Sequence, residues 1–138
     1  MLSNLSFEFM AATSELDGLN ASVERFAELH HWPAEFLFTV NLVIEEIVVN
    51  VISYGADGGH VPTVRFKLGQ DQLRLVMHIE DNGIAFDPLQ QSMPDLTASL
   101  EDRPIGGLGV YLVRQLMDSV DYRRDGNWNC LTVSKALR

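Results

Sequence analysis

Glu46 and Asn50 stand four residues apart in VIEEIVVNVISYG, Val43 to Gly55, a run otherwise made largely of Val and Ile. A helix that is apolar nearly all round is normally buried. A neutral polar group buried there without a partner costs on the order of 2–7 kcal/mol. The spacing puts both side chains on one helical face, so that face either looks into a polar pocket or surfaces through a gap in the packing. In a pocket, Asn50 offers a neutral oxygen suited to a hard divalent cation that keeps several waters and shares the phosphates of a nucleotide. Glu46, one turn earlier, is placed to accept a proton from a nucleophile approaching the terminal phosphate. Glu45 points about 100° away and is expected to face solvent or an ion partner.

Two further clusters extend this chemistry. In Asp81-Asn82-Gly83 a carboxylate at a strand end can accept a hydrogen bond from an exocyclic amine such as that of adenine. The glycine leaves space for a flat ring to approach the backbone. The same tripeptide is also an ordinary turn. Gly106-Gly107-Leu108-Gly109 opens a helical pattern, where free backbone N–H groups and the positive end of the helix form an anion site without any lysine. A simple loop closure would use the same residues. The glycine spacing differs from the dinucleotide-binding fingerprint, and no strand leads tightly into it.

The elements that must carry these clusters follow from periodicity. Leu5, Phe7 and Phe9 alternate as a strand, and Ser14 with Asp17 resembles a capping box ahead of a helix from about Glu15 to His31. His30 and His31 read as helix-terminal residues rather than ligands. Pro33 can begin the next helix, which includes Glu46 and Asn50 and frays near Tyr54 and Gly55. Val64, Phe66 and Leu68, then Leu73, Leu75, Met77 and Ile79, make a hairpin with one buried face. A polar, aperiodic stretch from Gln90 to Ile105 follows, of a length that is usually functional or mobile. Next come a helix ending near Ser119 and two strands, Val120 to Arg124 and Cys130 to Leu137, around the turn Asp125-Gly126-Asn127. This order predicts one α+β domain over residues 1–138, a two-layer sandwich with a mostly antiparallel mixed sheet and helices on one face.

Composition narrows the function classes. The chain has 138 residues, 46% hydrophobic, with a net charge of -9. That is enough for one core, and the acidic balance argues against a direct nucleic-acid binder. The single cysteine, Cys130, excludes an internal disulfide and fits a reducing cytoplasm. No basic region precedes an apolar core at the start, and no run approaches the roughly 18 apolar residues of a membrane span.

Taken in this order, the three clusters resemble the GHKL nucleotide-binding (Bergerat) fold of gyrase B subunits, histidine kinases and mismatch-repair ATPases, over nearly the whole chain. Glu46 and Asn50 match its N box, Asp81 and Gly83 (in DNGIAFDP) its first glycine box, and Gly107 and Gly109 (in RPIGGLGVYLVRQLMD) its second. Within that fold the chain is most similar to the anti-sigma-factor serine/threonine kinases of bacterial partner-switching systems.

The resemblance implies binding of ATP with Mg2+, magnesium on Asn50, Glu46 as base, and Asp81 reading adenine. It further implies that Gly83, Gly107, Leu108 and Gly109 line the nucleotide and that Arg103 contacts phosphate. The segment of about 88–105 would close as a lid, and Tyr54 stands where many members have histidine. A retained Glu46 suits a serine or threonine hydroxyl, which must lose its proton during transfer. The implied partners are a STAS-type antagonist protein and a sigma factor. Homodimerisation through apolar residues of the first strand and helix is a further expectation. The alternative is an ATP-gated protein-binding regulator that transfers no phosphate.

Overall fold

The computed structural model describes residues 3–56, 59–90 and 107–137. The elements run β1 (Ser3–Met10), α1 (Leu16–Leu29), α2 (Ala34–Tyr54), β2 (Thr63–Gln70), β3 (Arg74–Asp81), α3 (Gly107–Leu116), β4 (Ser119–Asp125) and β5 (Trp128–Ala136). The strands form one sheet in the order β1-β2-β3-β5-β4, and all four pairings are antiparallel.

The register turns the alternation of each strand into rows that cross the sheet. Leu5, Leu68, Met77, Val133 and Val120 form one such row, and Phe7, Phe66, Ile79, Leu131 and Tyr122 the next. Side chains on a strand alternate between faces, so both rows look to the same side, and helices cover it. The core there includes Leu19, Val23 and Phe26 of α1 and Val40, Val43, Ile44, Ile47 and Val48 of α2. The opposite face carries polar residues, among them the exposed pair Arg65–Glu8 at 3.2 Å, a contact of little energetic weight. A third inward row continues from Phe9 and Val64 into Asp81, Asn129 and Arg124. Here the core side of the sheet becomes polar.

Three local expectations need correction. The capping box at Ser14 and Asp17 does not form. A 3-10 turn, Thr13–Glu15, already winds the chain into α1, and the residue preceding the helix, Glu15, makes no side-chain cap. Pro33 precedes α2 instead of opening it, and its carbonyl accepts from the N–H groups of Phe36 and Leu37. The third correction concerns α2, whose 21 residues are long and apolar enough to cross a membrane by length and composition. In this fold its apolar side is a central part of the core.

The side chain of Ile44 is fully buried at the centre of α2. Ile44→Ala should destabilise the domain by about 2–5 kcal/mol through lost contact and a residual cavity. Urea denaturation would show this as a lower midpoint with an unchanged slope.

Candidate functional site

Where the third row turns polar, the strand pairing sets Asn129 of β5 directly beside Asp81 of β3. Both are 6% exposed. The Asp81 Oδ1 atom accepts from Asn129 Nδ2 at 3.0 Å and from the Gly83 N–H at 3.0 Å. Burial pushes the Asp81 carboxyl up from the ordinary aspartate range. The Asn129 and Gly83 hydrogen bonds and the Arg124 guanidinium offset part of that rise. Arg124 also donates from Nη1 to the Gly83 carbonyl at 3.0 Å.

Asp81 and Asn129 form part of the wall of an open-mouthed cavity enclosing ≈ 610 Å³, part of it open to solvent. Asn50, Val51 and Tyr54 of α2 form another wall, so Asn50 and Asp81 meet in one cavity as the sequence suggests. Ile47, Ile79, Val113 and Leu131 make much of the remainder apolar.

Tyr54 stacks on Phe86 from the loop after β3, with ring centroids 4.8 Å apart and planes 6° from parallel. The residue that departs from the family histidine is therefore part of the cavity wall. Glu46 is half-buried one turn before Asn50, beyond that wall. Burial raises its carboxyl first, and repulsion from Glu45 adds to the rise. Glu45 itself is exposed, as expected.

Gly83 has a physical reason within the fold itself. A Cβ there would lie 2.6 Å from the Gly55 carbonyl oxygen and 2.9 Å from its Cα, because the loop after β3 presses on the end of α2. The Gly55 carbonyl also accepts from the Ile84 N–H at 3.1 Å. Close passage of two backbones by itself requires a glycine here.

Gly107, Leu108 and Gly109 form the start of α3, so the expected helix N-terminus is in place. Arg103, Gly106 and most of the expected lid lie outside the described residues, and its first residues, Pro88–Gln90, form a 3-10 turn. Among the described residues no group of three or more His, Cys, Asp or Glu side chains could hold a metal ion. A lone Asn50 oxygen in this cavity's wall fits magnesium held chiefly by phosphates and water rather than by an all-protein cage.

The sequence reading passed over Asn129, Tyr122 and Arg124. Asn129 shares strand parity with Leu131 and Val133, and a polar residue on that inward side was the available signal.

Comparison with known proteins adds an independent line. The model of the histidine kinase-like ATPase domain matches residues 9–135. The serine/threonine-protein kinase BtrW of Bordetella bronchiseptica is 35% identical over 125 residues, covering 91% of this chain and 87% of that protein. The serine-protein kinase RsbW of Halalkalibacterium halodurans is 25% identical over 88 residues, 62% of this chain and 54% of that one, so the match spans about half its length. Among solved structures, the RsbU and RsbW domains of Rv1364c from Mycobacterium tuberculosis superpose with a TM-score of 0.65 at 12% identity. That match covers 96% of this chain and 32% of that one, a likeness of fold.

Two outcomes follow from the geometry. Gly83→Ala forces a Cβ into the Gly55 backbone and should lower the melting temperature measurably by circular dichroism. Because folding raises the Asp81 pKa, the folded protein holds that proton more tightly than the unfolded chain. Its contribution to stability is full below the ordinary value near 3.9 and is lost as pH rises through the folded value. Asp81→Asn keeps an oxygen for both donors and removes the buried charge. By scanning calorimetry at pH 8, without nucleotide, it should melt no lower than wild type.

Proposed function

The chain belongs to the histidine kinase-like ATPase domain family, and from that premise we propose that it is a magnesium- and ATP-dependent protein serine/threonine kinase. Its substrate on this reading is a small STAS-type antagonist protein, its output a sigma factor released or held by partner switching, and its setting the cytoplasm. The observation that carries the proposal is the meeting of Asn50 and Asp81 in the lining of one open, mostly apolar cavity. Apolar walls suit a nucleobase, and a buried carboxylate at the cavity's edge suits its exocyclic amine. The relatives named as serine or serine/threonine kinases support the choice of a hydroxyl acceptor.

The roles of the residues follow from their chemistry. Asp81 accepts from the base and orients it. The N-terminal turn of α3, Gly107 to Gly109, offers backbone donors to phosphate, and the family resemblance assigns Arg103 a phosphate contact. Asn50 holds magnesium, which when bound neutralises charge developing on the transferred phosphoryl group. Glu46 lies one turn from Asn50 on the same helix and takes the proton of the attacking serine or threonine hydroxyl. Its raised pKa makes it a stronger base than an ordinary glutamate. Phosphoryl transfer asks little covalent chemistry of the protein, so positioning and charge account for most of the rate.

The test pairs calorimetric ATP titration, with and without magnesium, with a phosphotransfer assay on a candidate STAS-type protein. Wild type should bind ATP in a magnesium-dependent way, and Asp81→Asn should lose that binding. Glu46→Gln should keep ATP affinity within about threefold but lose transfer by about 10²–10⁴-fold, the usual contribution of a general base. The wild-type transfer rate should rise with pH through the Glu46 pKa and then level, because only the ionised carboxylate accepts the proton. If partner capture depends on ATP, no phosphate moves, and Glu46→Gln is indifferent, the gated-binder reading replaces the kinase.

A further inference from the structure

Asn129 is a buried amide with no place in the proposed transfer chemistry, and it is fully engaged. An amide carries two N–H donors and an oxygen with two lone pairs. Its Nδ2 donates to Asp81 Oδ1 at 3.0 Å and to the Ile84 carbonyl at 2.8 Å. Its Oδ1 accepts from the Tyr122 hydroxyl at 2.6 Å and from the Phe86 N–H at 3.2 Å. These partners fix which end faces which. A flipped amide would set its oxygen against the Asp81 carboxylate and the Ile84 carbonyl, and its NH2 against the Phe86 N–H.

Asn129 therefore presents a donor to Asp81 by geometric necessity, and that donor lands on one oxygen. Among the described residues both hydrogen bonds to Asp81, from Asn129 and Gly83, end on Oδ1. Oδ2 receives neither. One oxygen of the carboxylate is thus occupied by protein, in a residue that lines the cavity. The nearby charges are Arg124 on β4 and Asp87 in the loop after β3, and the Tyr122 hydroxyl is already committed to Asn129. An ionised Oδ2 can only accept. It pairs with the amine of a 6-amino purine and opposes the carbonyl of a 6-oxo purine.

We propose that Asn129 is the positioning residue of base recognition, locking Asp81 so that Oδ2 faces the ligand as an acceptor and selects 6-amino over 6-oxo purines. The proposal rests on the reading that a nucleotide base sits against Asp81. The amide also binds the loop that carries Phe86, and Phe86 stacks on Tyr54. The lock on the carboxylate and the placement of the aromatic wall therefore share one residue.

The experiment compares ATP and ITP, which differ at the 6-position of the base, by calorimetric titration of wild type and Asn129→Leu. In the variant a methyl group of similar size replaces the donor facing Asp81. Wild type should favour ATP by about tenfold or more, the scale of a hydrogen bond to a charged group. In Asn129→Leu the preference should collapse towards unity, through weaker ATP binding with ITP affinity changed by less than about threefold. Far-UV circular dichroism and melting without nucleotide check the fold. Should the leucine variant not fold, Asn129→Ala, which takes the amide donor away from Asp81 in a smaller side chain, is read in the same way.

A merely structural role for Asn129 would weaken both nucleotides alike. That result, or an unchanged preference in a folded variant, overturns the proposal. Equal wild-type affinity for ATP and ITP overturns the selectivity claim while leaving a nucleotide site. Binding of neither by wild type removes the nucleotide reading and this proposal together.

Discussion

A carboxylate taken out of water must be met by donors or positive charge, and around Asp81 the fold supplies two donors and one cation from three directions. The backbone turns back at Gly83 so that its N–H reaches the side chain two residues earlier, β5 brings Asn129 alongside through strand register, and β4 adds the positive charge of Arg124. The side-chain contributions depend on antiparallel pairing held to the residue. A slip by one position would turn every inward side chain outward and leave the carboxylate without its amide. The large apolar rows of the same sheet make that slip costly, because Phe66, Met77 and Val133 would leave the core together. Hydrophobic packing thus enforces a polar geometry that it does not touch.

Helix α2 meets the complementary constraint. Its Val and Ile residues are absorbed by the sheet and the neighbouring helices, yet the helix also faces a cavity, and there Asn50 replaces an apolar residue. Glu46 lies at the margin, half-buried and beside the exposed Glu45, where partial desolvation raises its pKa without stripping it of solvent. A residue at such a boundary can reach a macromolecular substrate arriving from outside as well as a small ligand held within. The beginning of α3, with glycines at its first turn, adds no side-chain charge to an acidic chain.

Much of this was legible in the sequence because the strongest signals were periodic. The hairpin of β2 and β3 and the long second helix follow from alternation and from a continuous apolar run, and Asn50 and Asp81 could be paired because each interrupts such a pattern. Local signals did less well. Ser14 and Asp17 have the spacing of a cap, but the chain enters the helix through a 3-10 turn in which that geometry is not needed. Asn129 escaped notice because the last strand was expected to begin at Cys130, which left Asn129 next to the turn instead of on the inward face. The packing of Gly83 against Gly55 is invisible in the sequence because the two are distant in it and no local pattern connects them.

The contact between those glycines reaches further than the turn it permits. Gly55 ends the helix that carries Asn50, and Gly83 follows the strand that carries Asp81. The two segments are joined main chain to main chain through the Gly55 carbonyl and the Ile84 N–H. The spacing between the segment that carries Asn50 and the one that carries Asp81 is therefore set by main chain, like the spacing between marks on a ruler. A substitution in the cavity's side-chain walls would change what is gripped and how tightly, and would leave that spacing in place.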